Sequence, residues 1–154
     1  MLRPLRFVNL LLVALTFGLT WCHVMEIPGK LGLSGSEWLS VQHNLYVAFG
    51  GPVGAPIEVA AILLTWAVLW RVRSRRAAAA WTLMAAICTT LGLIVWFLLV
   101  SPMNGIIADL TPSTLSADWT AVRDQWETGH AVHALMFGLG FGALVAALLA
   151  ETPP

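Results

Sequence analysis

The stretch Arg123-Asp-Gln-Trp-Glu-Thr-Gly-His-Ala-Val-His133 decides how the rest of the chain is interpreted, because it leads directly into the last long apolar run. It combines an arginine, two acids and two histidines. On a helix, Glu127 and His130 are three positions apart and share a face, and His133 lies three positions further along nearly the same stripe. Such a cluster is either a functional site or the solvated end of a helix.

The composition predicts an integral membrane protein. Of the 154 residues, 58% are hydrophobic and only 10% are charged, and the mean hydropathy of +0.81 lies far from that of a soluble domain. Four runs are long enough to cross a hydrocarbon layer that needs about 20 apolar residues, at roughly 5–25, 52–70, 78–100 and 129–150. We therefore predict an all-α fold, a bundle of four transmembrane helices in which residues 1–154 form a single domain in the lipid bilayer.

The charged residues are informative through their positions. The formal net charge is zero, so electrostatics gives no support to a nucleic-acid partner. Arginines precede the first run and separate the second from the third: Arg3, Arg6, Arg71, Arg73, Arg75 and Arg76. The positive-inside rule assigns both stretches to the cytoplasm. We predict that the protein lies in a bacterial inner membrane with both termini cytoplasmic, and a homo-oligomer is compatible with the sequence.

A polar helix is predicted between the first and second runs, on the outer side. The Pro and Gly content of residues 27–36 predicts a loop, and Ser34 with Glu37 forms a capping-box pattern that would start a helix running to Phe49. Gly50-Gly-Pro-Val-Gly-Ala-Pro56 then breaks that helix. We predict a re-entrant or interfacial half-helix here, since irregular backbone at membrane depth must be shielded by protein or water.

A second outer loop is predicted after the third run. Ser101-Pro-Met-Asn-Gly105 has the residues of a turn and is expected to end the third span. Thr111-Pro112 is typical of the start of a short helix, and Ser116 with Asp118 gives a second start signal. From Asp118 a helix is expected to run without interruption into the last span.

Ionisable side chains collect at one predicted depth. His23 lies about 25 Å of helix above Arg6, and His133 lies about 27 Å above Glu151, so both histidines fall near the outer boundary of the bilayer. The side chains that can gather in this outer third are the four histidines with Glu26, Glu58, Asn104, Arg123 and Glu127. Ionisable groups inside a membrane bundle are costly and mark functional sites, so we predict a polar pocket here.

Two spacings are typical of metal ligands. His23 and Glu26, like Glu127 and His130, place a histidine and a carboxylate three positions apart on one helical face, as in carboxylate-bridged metal bundles. The predicted metal ligands are His23, Glu26, His43, Glu58, His130 and His133. Iron, copper or zinc would suit these donors. The same spacing also occurs in solvated pairs at ordinary helix ends.

Haem is a further alternative, held axially by two histidines of different helices. The many acids around the candidate histidines count against haem. So does the lack of a basic pair for its propionates apart from Arg123.

The last third of the chain resembles a known family. Pro102-Met-Asn-Gly-Ile-Ile107, followed by Trp119, Arg123 and Trp126-Glu-Thr-Gly-His130, is similar to the pattern of the anthrone-oxygenase-like family of small four-helix membrane proteins, formerly a domain of unknown function. The resemblance implies the four-span layout found above. A few fungal members resemble oxygenases that convert anthrones to anthraquinones without an obvious redox cofactor.

The resemblance implies roles for Asn104, Arg123, Trp126 and His130. His130 would be the catalytic base, because an imidazole suits proton removal near neutral pH. Glu127 and Arg123 would orient His130 or stabilise a phenolate. The predicted substrate-binding residues are Asn104, Trp126 and Tyr46, the last of these from its position beside the same pocket.

We therefore predict a membrane oxygenase or oxidoreductase that acts on a small hydrophobic substrate, aromatic or quinone-like, with a metal assisting the reaction. The alternative is a non-catalytic membrane protein, such as a small-molecule binder, a transporter component or a partner subunit. In that case Glu58 and the histidines would form a proton-linked or substrate-binding relay.

Overall fold

A computed structural model of the chain describes residues 2–46 and 49–151. The helices in this part are α1 Leu2–Lys30, α2 Gly35–Leu45, α3 Gly54–Val72, α4 Arg76–Val95, α5 Ser101–Asp109 and α6 Trp119–Leu149, with a π-helical segment at Trp96–Val100 between α4 and α5. Four helical stretches are long and apolar enough to cross a membrane: α1, α3, the continuous stretch Arg76–Asp109, and α6. The predicted all-α four-span bundle is confirmed, and the protein is an integral membrane protein.

The four spans are arranged so that α1 and α4 each contact both α3 and α6. Helices α3 and α6 therefore lie diagonally across the bundle. Small residues allow close approach where α4 meets α6, since a methyl group at Gly140 would lie 2.9 Å from the side chain of Thr89. Phe137 fills the centre of the bundle and is fully buried.

The connection between α1 and α2 begins later than predicted. Helix α1 continues through Pro28 to Lys30, so the prediction that residues 27–36 form a loop is wrong for residues 27–30. Pro28 lies in the last turn of the helix, where the missing N–H removes only one hydrogen bond. The turn after it closes through a hydrogen bond from the Leu31 amide to the Ile27 carbonyl oxygen at 3.0 Å.

Helix α2 is the predicted half-helix. The Glu37 carboxylate accepts hydrogen bonds from the Ser34 amide at 2.8 Å and from the Ser34 hydroxyl at 2.6 Å, as the capping-box pattern predicts. Eleven residues span about 16 Å of helix, too short to cross a bilayer core of about 30 Å. The helix ends at Leu45, earlier than the predicted end at Phe49, and residues 47–48 lie outside the described part of the chain.

The predicted end of the third span at residues 101–105 is wrong. The helix passes through the π-helical segment and continues as α5 to Asp109. The Ser101 amide donates to the Trp96 carbonyl oxygen, five residues back. This wider turn comes directly before Pro102, so the proline lies at the start of α5, where a missing N–H is tolerated.

The connection between α5 and α6 also differs from the prediction. Thr111-Pro112 begins a turn rather than a helix, with the Thr111 amide donating to the Thr114 hydroxyl at 2.8 Å. Helix α6 begins at Trp119, directly after Asp118, where the second start signal predicted it.

An ionic clasp joins the ends of the helices at the arginine-rich end of the bundle. The Glu151 carboxylate pairs with Arg6 and accepts a hydrogen bond from Arg75 at 2.8 Å. The clasp thereby connects the start of α1, the start of α4 and the end of α6.

The clasp predicts a loss of stability in acid. Partial burial opposes ionisation of Glu151, but the hydrogen bonds from Arg75 and Arg6 outweigh it and lower the pKa of Glu151 below its ordinary value of 4.5. A carboxyl group with a lowered pKa stabilises the fold above its unfolded-state pKa, and this stabilisation is lost as the pH falls through the folded-state pKa. We expect the melting temperature of the native protein in detergent to fall more steeply between about pH 5 and pH 3 than that of Glu151→Gln. Equal slopes would contradict the clasp.

Candidate functional site

A cavity of about 340 Å³ lies at the other end of the bundle, away from the arginines. This volume is within the range of small-molecule sites, roughly 300–1,000 Å³. Its wall is mostly apolar and includes Phe49, Trp96, Phe97 and Trp126. The ionisable side chains in the wall are His23, His43, Tyr46, Glu58, His130 and His133. The pocket predicted from depth alone therefore corresponds to a real cavity in the fold.

Glu58 and His133 form a buried pair in the wall of this cavity. The Nε2 atom of His133 lies 3.1 Å from Glu58 Oε1. An ionised Glu58 accepts this hydrogen bond from Nε2–H, and the neutral imidazole then has its lone pair on Nδ1. Within residues 2–46 and 49–151, His133 Nδ1 is buried without a hydrogen-bond partner. A base held in one orientation by an acid is the arrangement that proton transfer requires.

Aromatic rings hold His130. Its ring centroid lies 4.1 Å from that of His23 on α1 and 4.2 Å from that of Trp126, one turn earlier on α6. Trp126 is itself held in place, because its indole N–H donates to Asn104 Oδ1 on α5 at 2.7 Å. Two residues predicted to bind substrate, Asn104 and Trp126, therefore contact each other and both line the cavity.

An ionic layer lies beyond the histidines, toward the end of the bundle where α1 finishes. Lys30 Nζ lies 2.9 Å from Glu127 Oε1 and 3.6 Å from Glu26 Oε2, and the Tyr46 hydroxyl donates to Glu26. The ammonium group also lies 4.8 Å from the ring centroid of Trp126. We call Glu26, Lys30, Tyr46 and Glu127 the lysine cap. Burial and then the hydrogen bond to Glu26 raise the pKa of Tyr46 above its ordinary value of 10.0, so this phenol stays protonated at neutral pH.

Two residues of the site were missed by the sequence prediction. Lys30 is only 4% exposed, and two features of the sequence could have identified it: its position four residues after Glu26 and its isolation as the one basic residue between Arg6 and Arg71. Gln42 lines the cavity, and its Nε2 has no hydrogen-bond partner among the described residues. The only signal for Gln42 was a polar side chain in a half-helix too polar to face lipid.

The catalytic residues predicted from the sequence are only partly brought together. His130 lines the cavity, but Glu127 faces Lys30, and Arg123 pairs with Asp124 at 2.9 Å while its guanidinium lies over the Trp119 ring. In the described part of the chain, neither Glu127 nor Arg123 forms a hydrogen bond or an ion pair with His130. The aromatic rings around His130 take the orienting role that was predicted for these two residues.

The predicted metal ligands divide into two groups. His23, Glu58, His130 and His133 line the cavity and approach one another. His43 also lines the cavity, but its Nε2 lies 2.9 Å from the Ile107 carbonyl oxygen, and Glu26 belongs to the lysine cap. Throughout residues 2–46 and 49–151, no three His, Cys, Asp or Glu side chains are arranged to hold a metal ion. His23 and His130 contact each other directly, which leaves no space for a porphyrin between them. As folded, the described donors do not form a metal-binding group, and His23 and His130 do not fit the two axial ligands of a haem.

No known protein family, curated protein or solved structure matches this chain. The resemblance to the anthrone-oxygenase-like family stays a prediction that rests on the residues between Pro102 and His130.

From the Lys30–Glu127 ion pair we predict how three variants differ in their free energy of unfolding. Lys30→Met leaves the Glu127 carboxylate buried without its cation, and we expect it to lower the free energy of unfolding by about 3 kcal/mol. Adding Glu127→Gln removes the orphaned charge and should recover much of that loss. Arg73→Met, a change at an exposed base, is the control and should have a small effect. Unfolding in mixed detergent measures the free energy of unfolding of the native protein and the three variants. Equal losses of this free energy for Lys30→Met and Arg73→Met would contradict the ion pair.

Proposed function

We propose that this protein is a membrane oxidoreductase that oxidises a small phenol, or an aromatic ketone that can form a phenol. The proposed reaction is that of the oxygenases that a few fungal members of the anthrone-oxygenase-like family resemble. The observation that carries the proposal is the buried Glu58–His133 pair in the wall of a largely apolar cavity. An apolar aromatic wall suits a flat hydrophobic ring system, and a few polar groups suffice to orient its oxygen atoms.

The pair supplies the base. The Glu58–His133 pair, which lines the cavity, removes a proton from the substrate, and the carboxylate and the imidazole share the proton that they have taken up. His130, the base predicted from the sequence, packs between His23 and Trp126 and contacts the ring system of the substrate. The Asn104 amide nitrogen is the donor for a substrate oxygen that becomes negative, since Asn104 lines the cavity and only its Oδ1 is bonded to Trp126.

Anthrone illustrates the chemistry. Loss of a proton from its central CH₂ group gives an aromatic enolate, which is rich in electrons and is oxidised by O₂. One anthrone and one O₂ give one anthraquinone and one water, so the carbon is oxidised and all four electrons go to oxygen. The protein's part is proton removal, orientation of the enolate and exclusion of water.

A resident metal has no step in this proposal, because the donors of the cavity do not gather around a common point. The metal predicted from the sequence stays a prediction, and iron, copper and zinc analysis of the purified protein tests it.

Turnover tests the proposal. In proteoliposomes with anthrone and air, we expect Glu58→Gln and His133→Gln each to lower kcat by about 10²–10⁴-fold, the usual contribution of a general base. Glu37→Gln is the matched control, since Glu37 is an acid on the exposed surface of α2 and should keep native turnover. Native kcat in both cavity variants would contradict the proposed base.

The non-catalytic alternative predicts a different result for the same variants. If Glu58 and His133 are only a buried structural pair, combining Glu58→Gln with His133→Gln should restore stability and leave ligand binding intact. If they are catalytic, the combination restores stability but not turnover. The native protein forms anthraquinone in the second case and not in the first.

For the orientation we propose a bacterial inner membrane with the arginine-rich end in the cytoplasm, on the basis of the positive-inside rule. The cavity then lies in the outer half of the bilayer. In a protein that carries Cys22→Ser and Cys88→Ala, a single cysteine introduced at Ser113, in the connection before α6, should react with a membrane-impermeant maleimide in intact spheroplasts. One introduced at Ser74, between α3 and α4, should react only after lysis, and the reverse pattern would contradict the orientation.

A further inference from the structure

The cavity reaches the lipid-facing surface of the bundle between α3 and the π-helical segment. Val59 on α3 is 45% exposed and Phe97 in the π-helical segment is 59% exposed, yet both side chains line the cavity. Each of these residues therefore has one side toward the cavity and one side toward the bilayer.

The exposure of both residues continues along their helices. On α3, Val59, Leu63 and Trp66 follow the spacing of one helical face, and all three are exposed. On the neighbouring helix, Ile94 and Phe97 continue an exposed apolar face in the same way. These stripes are the lipid-facing surfaces of a membrane protein. Val59 and Phe97 are the members of the two stripes that also reach the cavity.

A hydrogen bond ties the same two helices together nearer the arginine-rich end. The Trp66 indole N–H donates to the Thr90 hydroxyl at 3.1 Å. Val59 lies seven residues from Trp66 along α3, and Phe97 lies seven residues from Thr90, so both are about 10 Å from this bond in the same direction. The Trp66–Thr90 hydrogen bond therefore joins the two helices nearer the arginine-rich end, and about 10 Å further along the same helices flank the cavity.

The local structure also favours an opening at this height. The π-helical segment Trp96–Val100 departs from regular α-helix here, a feature often found at functional sites. On the α3 side of the gap, Ala55 lies in the cavity wall one turn before Val59. The side chain of Ala55 is too small to close the gap.

Buried charged groups close the bundle on the side of the lysine cap. Lys30 and Glu127 lie beyond the histidines in that direction, and both are buried. An apolar molecule that entered there would have to displace a buried ion pair, whereas Val59 and Phe97 are both apolar.

We propose that this gap is a lateral window, through which an aromatic molecule dissolved in the bilayer reaches the cavity without passing through water. Val59 and Phe97 set the width of the window. The aromatic class of the ligand rests on the proposed function, but the window itself rests on the geometry alone.

A thiol placed inside the cavity tests the window. Thr20→Cys, in a protein that also carries Cys22→Ser and Cys88→Ala, puts one thiol in the cavity wall with little change in volume, because Thr20 is buried and lines the cavity. The probes are N-phenylmaleimide, which dissolves in lipid, and the charged 2-sulfonatoethyl methanethiosulfonate. Intact-protein mass spectrometry of proteoliposomes measures the rate of labelling.

We expect Val59→Trp, which narrows the window, to slow phenylmaleimide labelling about tenfold, and Phe97→Ala, which widens it, to accelerate labelling. Leu63→Trp is the matched control, one turn along the same lipid-facing stripe and outside the cavity wall, and it should leave the rate unchanged. The charged reagent should label much more slowly than phenylmaleimide. Equal rates for Val59→Trp and Leu63→Trp with no effect of Phe97→Ala would overturn the window, as would faster labelling by the charged reagent.

Labelling requires no turnover, so the two proposals can fail separately. If the native protein does not oxidise anthrone but Val59→Trp slows labelling of the Thr20→Cys thiol, the window is supported and the proposed function is contradicted. If the native protein oxidises anthrone but neither Val59→Trp nor Phe97→Ala changes the labelling rate, the function is supported and the window is contradicted.

Discussion

An acid on a membrane-spanning helix must have a partner, and in this protein the partner of Glu58 comes from the diagonal helix of the bundle. Charged and polar groups in a hydrocarbon layer are costly unless other protein groups satisfy them. His133 meets Glu58 in the space enclosed by α1, α3, α4 and α6. This contact joins α3 to α6, and it places an imidazole that Glu58 orients in the wall of the cavity.

The rest of the site is built around that contact in layers. Next to it, His23 and His130 stack with Trp126, which Asn104 holds by a hydrogen bond. Further toward the end of the bundle opposite the arginines, Lys30 pairs with Glu127. The cavity wall is therefore mostly apolar, apart from the histidines and Glu58, and it lies next to an aromatic layer that separates it from the lysine cap. The hydrophobic ring system proposed as the substrate fits this arrangement, since its oxygen atoms can lie near polar groups while its carbon atoms contact the wall.

Much of the architecture could be predicted because the thickness of the bilayer fixes the length and the hydropathy that a membrane-spanning helix needs. The four spans, the capped half-helix α2 and the start of α6 at Trp119 all follow from local patterns of the chain. The errors have a common cause. The sequence predicts helix ends at Pro28 and Pro102. In the structure Pro28 lies in a last turn and Pro102 directly after a π-helical turn, where a proline removes little hydrogen bonding. No local pattern of the sequence distinguishes these positions from a helix end.

The sequence by itself determined the depth of the polar residues, because rise per residue and the thickness of a bilayer are constants. It placed His23, Glu58, His130 and His133 at one level, and these four residues share the cavity. Only the tertiary structure decided the partners at that level: Lys30 rather than Arg123 for Glu127, and His133 for Glu58. Depth depends on position along one helix, whereas pairing depends on the rotation of each helix about its axis, which packing between helices sets.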